Sequence, residues 1–90
     1  MNAVSIIIEG HVQGVGFRYF TALEAANHHV TGWVRNTSDG NVEIEAEGPP
    51  LNIQAFIHKV SKGPQFADVT NVSVRELDSI KGYEKFNIKY

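Results

Sequence analysis

The apolar residues of this chain repeat at every second position in five stretches and at helical spacing in two others, and that order of periods constrains the fold more than any single residue. In Val4–Glu9, Val4, Ile6 and Ile8 share one face of a strand. From Phe17 to about His28, Phe20, Leu23 and Ala26 recur roughly once per turn, predicting a helix whose Thr21 and Glu24 face elsewhere. Val30, Gly32 and Val34, then Val42, Ile44 and Ala46, alternate on either side of Asn36–Asn41, where Asp39-Gly40 marks a hairpin turn. Gly48-Pro49-Pro50 stops the second of these strands and opens a helix, because proline is tolerated in a first helical turn. Ile53, Phe56, Ile57 and Val60 then give the clearest helical stripe, ended by Gly63-Pro64. Val72 and Val74, and finally Phe86, Ile88 and Tyr90, alternate as two closing strands.

Strand, helix, strand, strand, helix, strand with one added C-terminal strand is the split βαβ order of ferredoxin-like α+β folds. The expected architecture is a mostly antiparallel sheet covered on one face by two helices. No repeat, low-complexity tract or linker divides the chain, so residues 1–90 are expected to form one domain. Right-handed crossover makes the first two strands parallel. With the third strand between them, the segment after strand one and Asn36 should face each other across roughly 10 Å.

Composition removes several classes of function. There is no cysteine, hence no disulfide, no thiolate nucleophile and no Cys-ligated metal. Eight Lys and Arg against ten Asp and Glu leave a net charge of −2, which argues against a general nucleic-acid surface. No apolar run exceeds that of Ile6-Ile7-Ile8, far below the ~20 residues needed to span a bilayer, and no basic-then-apolar leader opens the chain. A cytoplasmic protein without membrane contact is expected, with a monomer as the default.

Chemistry concentrates in Gly10–Arg18, which reads as a loop with three glycines in its first seven positions, running into a helix N-terminus. Unpaired N–H groups and the helix dipole favour an anion there. Arg18 sits in the first helical turn against the macrodipole, a placement that an anion would compensate and that a surface carboxylate such as Glu24 would also explain. Neither a Walker A loop nor a dinucleotide fingerprint is present. His11 falls in the loop and reads mainly as a spacer, His58 as a surface residue, and the adjacent His28 and His29 cannot easily share a metal, so no metal and no cofactor are expected. Asn36, between a strand and a turn, is an ordinary residue for that place. Trp33 reads as packing over the sheet, and the Glu43/Glu45/Glu47 stripe as the solvated face of a strand.

Together, Gly10-His11-Val12-Gln13-Gly14-Val15-Gly16-Phe17-Arg18 and Gly32-Trp33-Val34-Arg35-Asn36, followed by Gly40, Val42 and Gly48, resemble the two signatures of the acylphosphatase family. The resemblance extends from about Val4 to Tyr90, with no departure at the motif positions. It implies hydrolysis of acyl phosphates to carboxylate and inorganic phosphate, the latter both product and inhibitor, without a metal, cofactor or covalent phosphoenzyme. It also implies that Arg18 binds the phosphate with the backbone N–H groups of Gln13, Gly14, Val15, Gly16, Phe17 and Arg18, while Asn36 orients the attacking water. The alternative on the same fold is a non-catalytic phosphate- or carboxylate-binding module, in which Asn36 only caps a turn. An RNA-recognition reading lacks the stacking aromatics in strand one, and a metal chaperone lacks its cysteine pair. Nothing in the sequence identifies a residue for the acyl end of a substrate.

Overall fold

The computed structural model describes all 90 residues, Met1–Tyr90. Its elements are β1 (Asn2–His11), α1 (Phe17–Asn27), β2 (Thr31–Asn36), β3 (Val42–Gly48), α2 (Pro50–Lys62), β4 (Asp68–Glu76) and β5 (Phe86–Ile88). The five strands form one open sheet in the order β4-β1-β3-β2-β5. All neighbours are antiparallel except β2 and β5, which run parallel. The architecture is the ferredoxin-like α+β sandwich with an added edge strand. No helix is long and apolar enough to cross a membrane.

β3 pairs antiparallel with both β1 and β2, which makes those two strands parallel and fixes their relative height. Ile8 and Asn36 both pair with Val42, so Ile8, Val42 and Asn36 form one row across three strands. The segment leaving β1 and the end of β2 therefore meet at the same end of the sheet.

The core lies between the sheet and the helices. Val4, Ile6 and Ile8 of β1, Val34 of β2, and Val42, Ile44 and Ala46 of β3 meet Ile53, Phe56 and Val60 of α2, as the two periods require. Phe86 of β5 stands edge-to-face on Phe56, with ring centroids 6.0 Å apart, which ties the edge strand to the second helix. Gly32, at φ 141°, is dictated by close approach, since a Cβ there would lie 1.9 Å from the Glu45 carbonyl oxygen.

Four local expectations are revised. First, β1 continues through Gly10 and His11 rather than giving way to a loop at Gly10. A register shift between Glu9 and Gly10 bulges the pairing with β4, and a Cβ on Gly10 would meet the Asp68 carbonyl oxygen at 2.1 Å. His11 is thus the last, exposed residue of a strand. Second, α1 buries Phe17, Thr21 and Ala25, while Leu23 and Ala26 are exposed. Thr21 is tolerated inside because its hydroxyl donates to the Phe17 carbonyl one turn back, at 2.9 Å. Third, β4 begins four residues earlier than the Val72 alternation suggests, and β5 closes at Ile88.

The fourth revision concerns the acidic stripe. Glu45 and Glu47 are 9% and 2% exposed, although they point to the sheet face away from the helices. The segment between β4 and β5 covers them. Glu45 pairs with Lys81 Nζ at 3.0 Å and accepts a hydrogen bond from the Tyr83 hydroxyl, which itself accepts from Trp33 Nε1–H at 3.1 Å. Burial raises the Glu45 pKa, but the bonds from Tyr83 and Lys81, with the Lys81 and Lys89 charges, together bring it below the ordinary 4.5. Burial and the Glu45 bond push the Tyr83 phenol up.

Two outcomes test this packing. Phe56→Ala should cost about 3–5 kcal/mol in urea unfolding, a large part of what a domain of this size commands. A carboxyl depressed by folding contributes stability that is present above its unfolded pKa and lost as pH falls through the lower folded value. Wild type should therefore lose more unfolding free energy on acidification below about pH 4 than Tyr83→Phe does, measured by denaturant titration at each pH.

Candidate active site

After His11 the chain must turn from a strand into α1 within five residues, and Gly14 and Gly16 do this in the left-handed region, at φ 76° and 79°. Neither position is crowded, since a Cβ on either glycine would meet nothing within 4 Å. Glycine is needed for the backbone turn, and the space in front of it stays open. Gly16 caps α1 without a side-chain hydrogen bond, and the first turn carries no acidic residue. The helix's first N–H groups thus face this opening, with the positive end of the dipole behind them.

A cleft of about 230 Å³ lies there. It falls below the ~300–1,000 Å³ of pockets for drug-sized ligands, a scale that suits a small anion with a short substituent. Gly14, Gly16, Phe17 and Arg18 line one side, and Asn36 lines the cleft from the end of β2. Alternation places Asn36 on the same sheet face as Gly32 and Val34, the face the helices cover. Arg18 and Asn36, eighteen residues apart in sequence, are brought together by the β1-β3-β2 row. Val12, Ile88, Tyr19 and Tyr90 complete the lining, giving the cleft an apolar side next to its polar one.

Arg18 is held from the C-terminal end of the chain. Its Nη1 donates to the Lys89 carbonyl at 3.2 Å, and its guanidinium carbon stands 4.7 Å from the centroid of the Tyr90 ring. This occupies one edge and one face of a planar group with five N–H donors and leaves the rest for a ligand.

Two of the loop residues singled out in the sequence do not line the cleft with their side chains. Val15 packs against the core. Gln13 turns the other way, and its Nε2 donates to the carbonyls of Thr37 and Asn41, both at 2.8 Å. One amide thus bolts the β1–α1 loop to the β2–β3 turn that follows Asn36. Thr37 closes that turn, its hydroxyl accepting the Asn41 N–H at 3.1 Å and donating to Asp39. Sequence reasoning missed this side-chain role, as it missed the C-terminal hold on Arg18, because both bridge segments with no local signal of contact. The one sequence-level hint was a long amide among glycines, where a small residue would serve a mere turn.

No three His, Cys, Asp or Glu side chains converge to form a metal site. His11 is absent from the cleft lining, and His28 ends α1 with Nδ1 2.8 Å from the Glu24 carbonyl oxygen.

A ferredoxin-like sandwich whose first βα loop opens on a cleft lined by Arg18, with Asn36 at the end of β2, is the frame in which the relatives of this chain are found. The acylphosphatase family model matches residues 4–88. The chain is 52% identical over 85 residues to an acylphosphatase of Bacillus licheniformis, covering 94% of each protein. It is 52% identical over 90 residues to one of Thermotoga maritima, covering 100% of this chain and 99% of the other. The crystal structure of acylphosphatase from Bacillus subtilis superposes with a TM-score of 0.97 at 48% identity, with both chains covered completely. The chain belongs to the acylphosphatase family and is an acylphosphatase enzyme.

The bolt between loop and turn is open to a direct test. Gln13→Ala should lose about 1–2 kcal/mol of stability in urea, because two partly buried carbonyls lose their donor. Gln13→Glu should be no better, since a carboxylate cannot donate to either carbonyl; full stability in that variant would contradict the assignment.

Proposed function

We propose that the chain hydrolyses the carboxyl–phosphate bond of small acyl phosphates by direct attack of water, as a single domain and without a metal. The observation that carries this reading is the convergence of the Gly14–Gly16 turn, the α1 N-terminus, Arg18 and Asn36 on one small cleft. The substrate phosphate sits in the opening before the loop, its oxygens accepting from backbone N–H groups of Gln13 through Arg18 and from the free donors of the Arg18 guanidinium. Asn36, on the far side of the cleft, accepts from and donates to the attacking water.

Elementary chemistry explains why so few groups suffice. The leaving group is a carboxylate, whose conjugate acid has a pKa of ~4, so no general acid must protonate it at neutral pH. Water forms the new P–O bond, the bond from phosphorus to the acyl oxygen breaks, and that oxygen leaves with the electron pair as carboxylate. The water proton passes to a phosphate oxygen of the substrate. The difficult part is charge on the transferring phosphoryl oxygens, and fixed N–H donors with a guanidinium stabilise it without reorganising. Arginine serves better than lysine because its planar fork meets two oxygens at once.

The test is release of inorganic phosphate from benzoyl and acetyl phosphate by wild type, Arg18→Ala and Asn36→Ala, with chelator and with a phosphate monoester as control. Wild type should turn over the acyl phosphates with chelator present and leave the monoester untouched. Each variant should stay folded and lose at least ~10²-fold in turnover, as loss of one preorganised donor does. Arg18→Ala should also bind inorganic phosphate more weakly. Near-normal turnover in either variant would remove that residue from the mechanism, and phosphate binding without turnover by wild type would indicate a binding module.

A further inference from the structure

The strand that brings Lys89 and Tyr90 to Arg18 is short, and its core contacts are those of Phe86 and Ile88. β5 has three residues, lies at the sheet edge and pairs only with β2. It is reached from β4 at the opposite edge, so residues 77–85 cross four strand spacings, roughly 19 Å, without a helix or strand of their own. That connector leads into β5, whose place is also set by its pairing with β2 and by Phe86 on Phe56.

Midway across, Glu45 and Trp33 hold the side chains of Lys81 and Tyr83, and Glu47 alone holds the backbone between them. Glu47 Oε2 accepts the Lys81 N–H at 2.6 Å, and its Oε1 accepts the Gly82 and Tyr83 N–H groups at 3.1 and 3.2 Å. Gly82, at φ 79°, turns the backbone so that three successive N–H groups face one anion. At 2% exposure this carboxylate would be costly in a simple covering role. The three donors offset its burial, and they lose their shared acceptor if it is removed. From there the path is continuous. Gly32 N–H donates to the Lys85 carbonyl at 3.0 Å, and Lys89 N–H donates to the Val34 carbonyl at 2.8 Å. The Lys89 carbonyl and Tyr90 ring then hold the Arg18 guanidinium.

We propose that Glu47 is a positioning residue for Arg18: by clasping Lys81–Tyr83 it fixes the end of β5, and so the carbonyl and ring that aim the guanidinium into the cleft. The inference rests on the phosphate-binding role proposed for Arg18. Glu47 touches no part of the cleft, and its effect travels entirely through the C-terminal segment. Because misplacing a binding group by about 1 Å can cost up to ~10²-fold, a loosened clasp registers at the site even while the core stays packed.

The experiment measures the dissociation constant of inorganic phosphate and the kcat and KM for benzoyl phosphate in wild type, Arg18→Ala, Glu47→Ala and Glu47→Gln. All are assayed well below their melting temperatures, and the Arg18 Nε–H resonance is followed by NMR. Glu47→Ala should weaken phosphate binding about tenfold and raise KM by a similar factor, with a smaller change in kcat, and should shift the Arg18 Nε–H resonance. Glu47→Gln, which keeps the shape and one acceptor oxygen, should fall between Glu47→Ala and wild type. If Glu47→Ala does not fold, Glu47→Gln alone carries the test and should still weaken phosphate binding measurably. Phosphate affinity within twofold of wild type and an unmoved Arg18 resonance, with only the melting temperature lowered, would overturn the proposal. Arg18→Ala separates the two levels of argument. If it binds phosphate as wild type does, the role given to Arg18 fails, and the resonance shift still decides whether Glu47 positions it.

Discussion

The insertion of β3 between β1 and β2 is the constraint on which the other features of this molecule depend. Two antiparallel ladders sharing Val42 place Ile8 and Asn36 at one height, two strand spacings apart. A shift of one residue in the β2–β3 ladder would turn every β2 side chain to the opposite face. Asn36 would leave the cleft, and Val34 would leave the core. The apolar alternation that fills the core and the position of the asparagine are therefore enforced by the same pairing. The β1–α1 loop inherits its place from this row, because β1 delivers it at the sheet end where β2 stops.

Local backbone geometry then creates two sites that favour negative charge. At the β1–α1 loop, left-handed glycines and an uncapped helix N-terminus gather N–H groups around an open space. At Lys81–Tyr83, a left-handed glycine gathers three N–H groups around Glu47. The second site is filled by the chain's own carboxylate and serves the fold. The first holds no carboxylate of the chain, and Arg18 adds a full positive charge where the dipole is already positive. In the proposed reading a doubly charged phosphate relieves that local electrostatic conflict, and hydrolysis of an acyl phosphate then needs few further groups.

Connections distant in sequence hold the parts of the cleft together. Gln13 ties the loop to the turn after Asn36, and the Lys89 carbonyl and Tyr90 ring hold Arg18. The loop, the turn and the C-terminal segment are each irregular or short. The Gln13 amide, the Glu47 clasp and the Arg18–Tyr90 cation–π contact join them, and preorganised donors are what electrostatic stabilisation of a transition state requires.

The amino-acid sequence by itself determined the element order, the helical stripe of Ile53, Phe56 and Val60, the turn at Asp39-Gly40, and the membership of Arg18 and Asn36 in two recognisable motifs. These are legible because hydrophobic period and turn chemistry are local properties of the chain. Only the tertiary structure decided that Glu45 and Glu47 are covered rather than solvated, that Thr21 lies inside α1's buried face, that β1 extends through a bulge to His11, that Gln13 reaches the β2–β3 turn, and that Lys89 and Tyr90 meet Arg18. An alternating carboxylate looks the same in sequence whether water or a connector lies over it. What covers it depends on where residues more than thirty positions away cross the sheet, and that path is set by long-range packing and by hydrogen bonds no local pattern encodes.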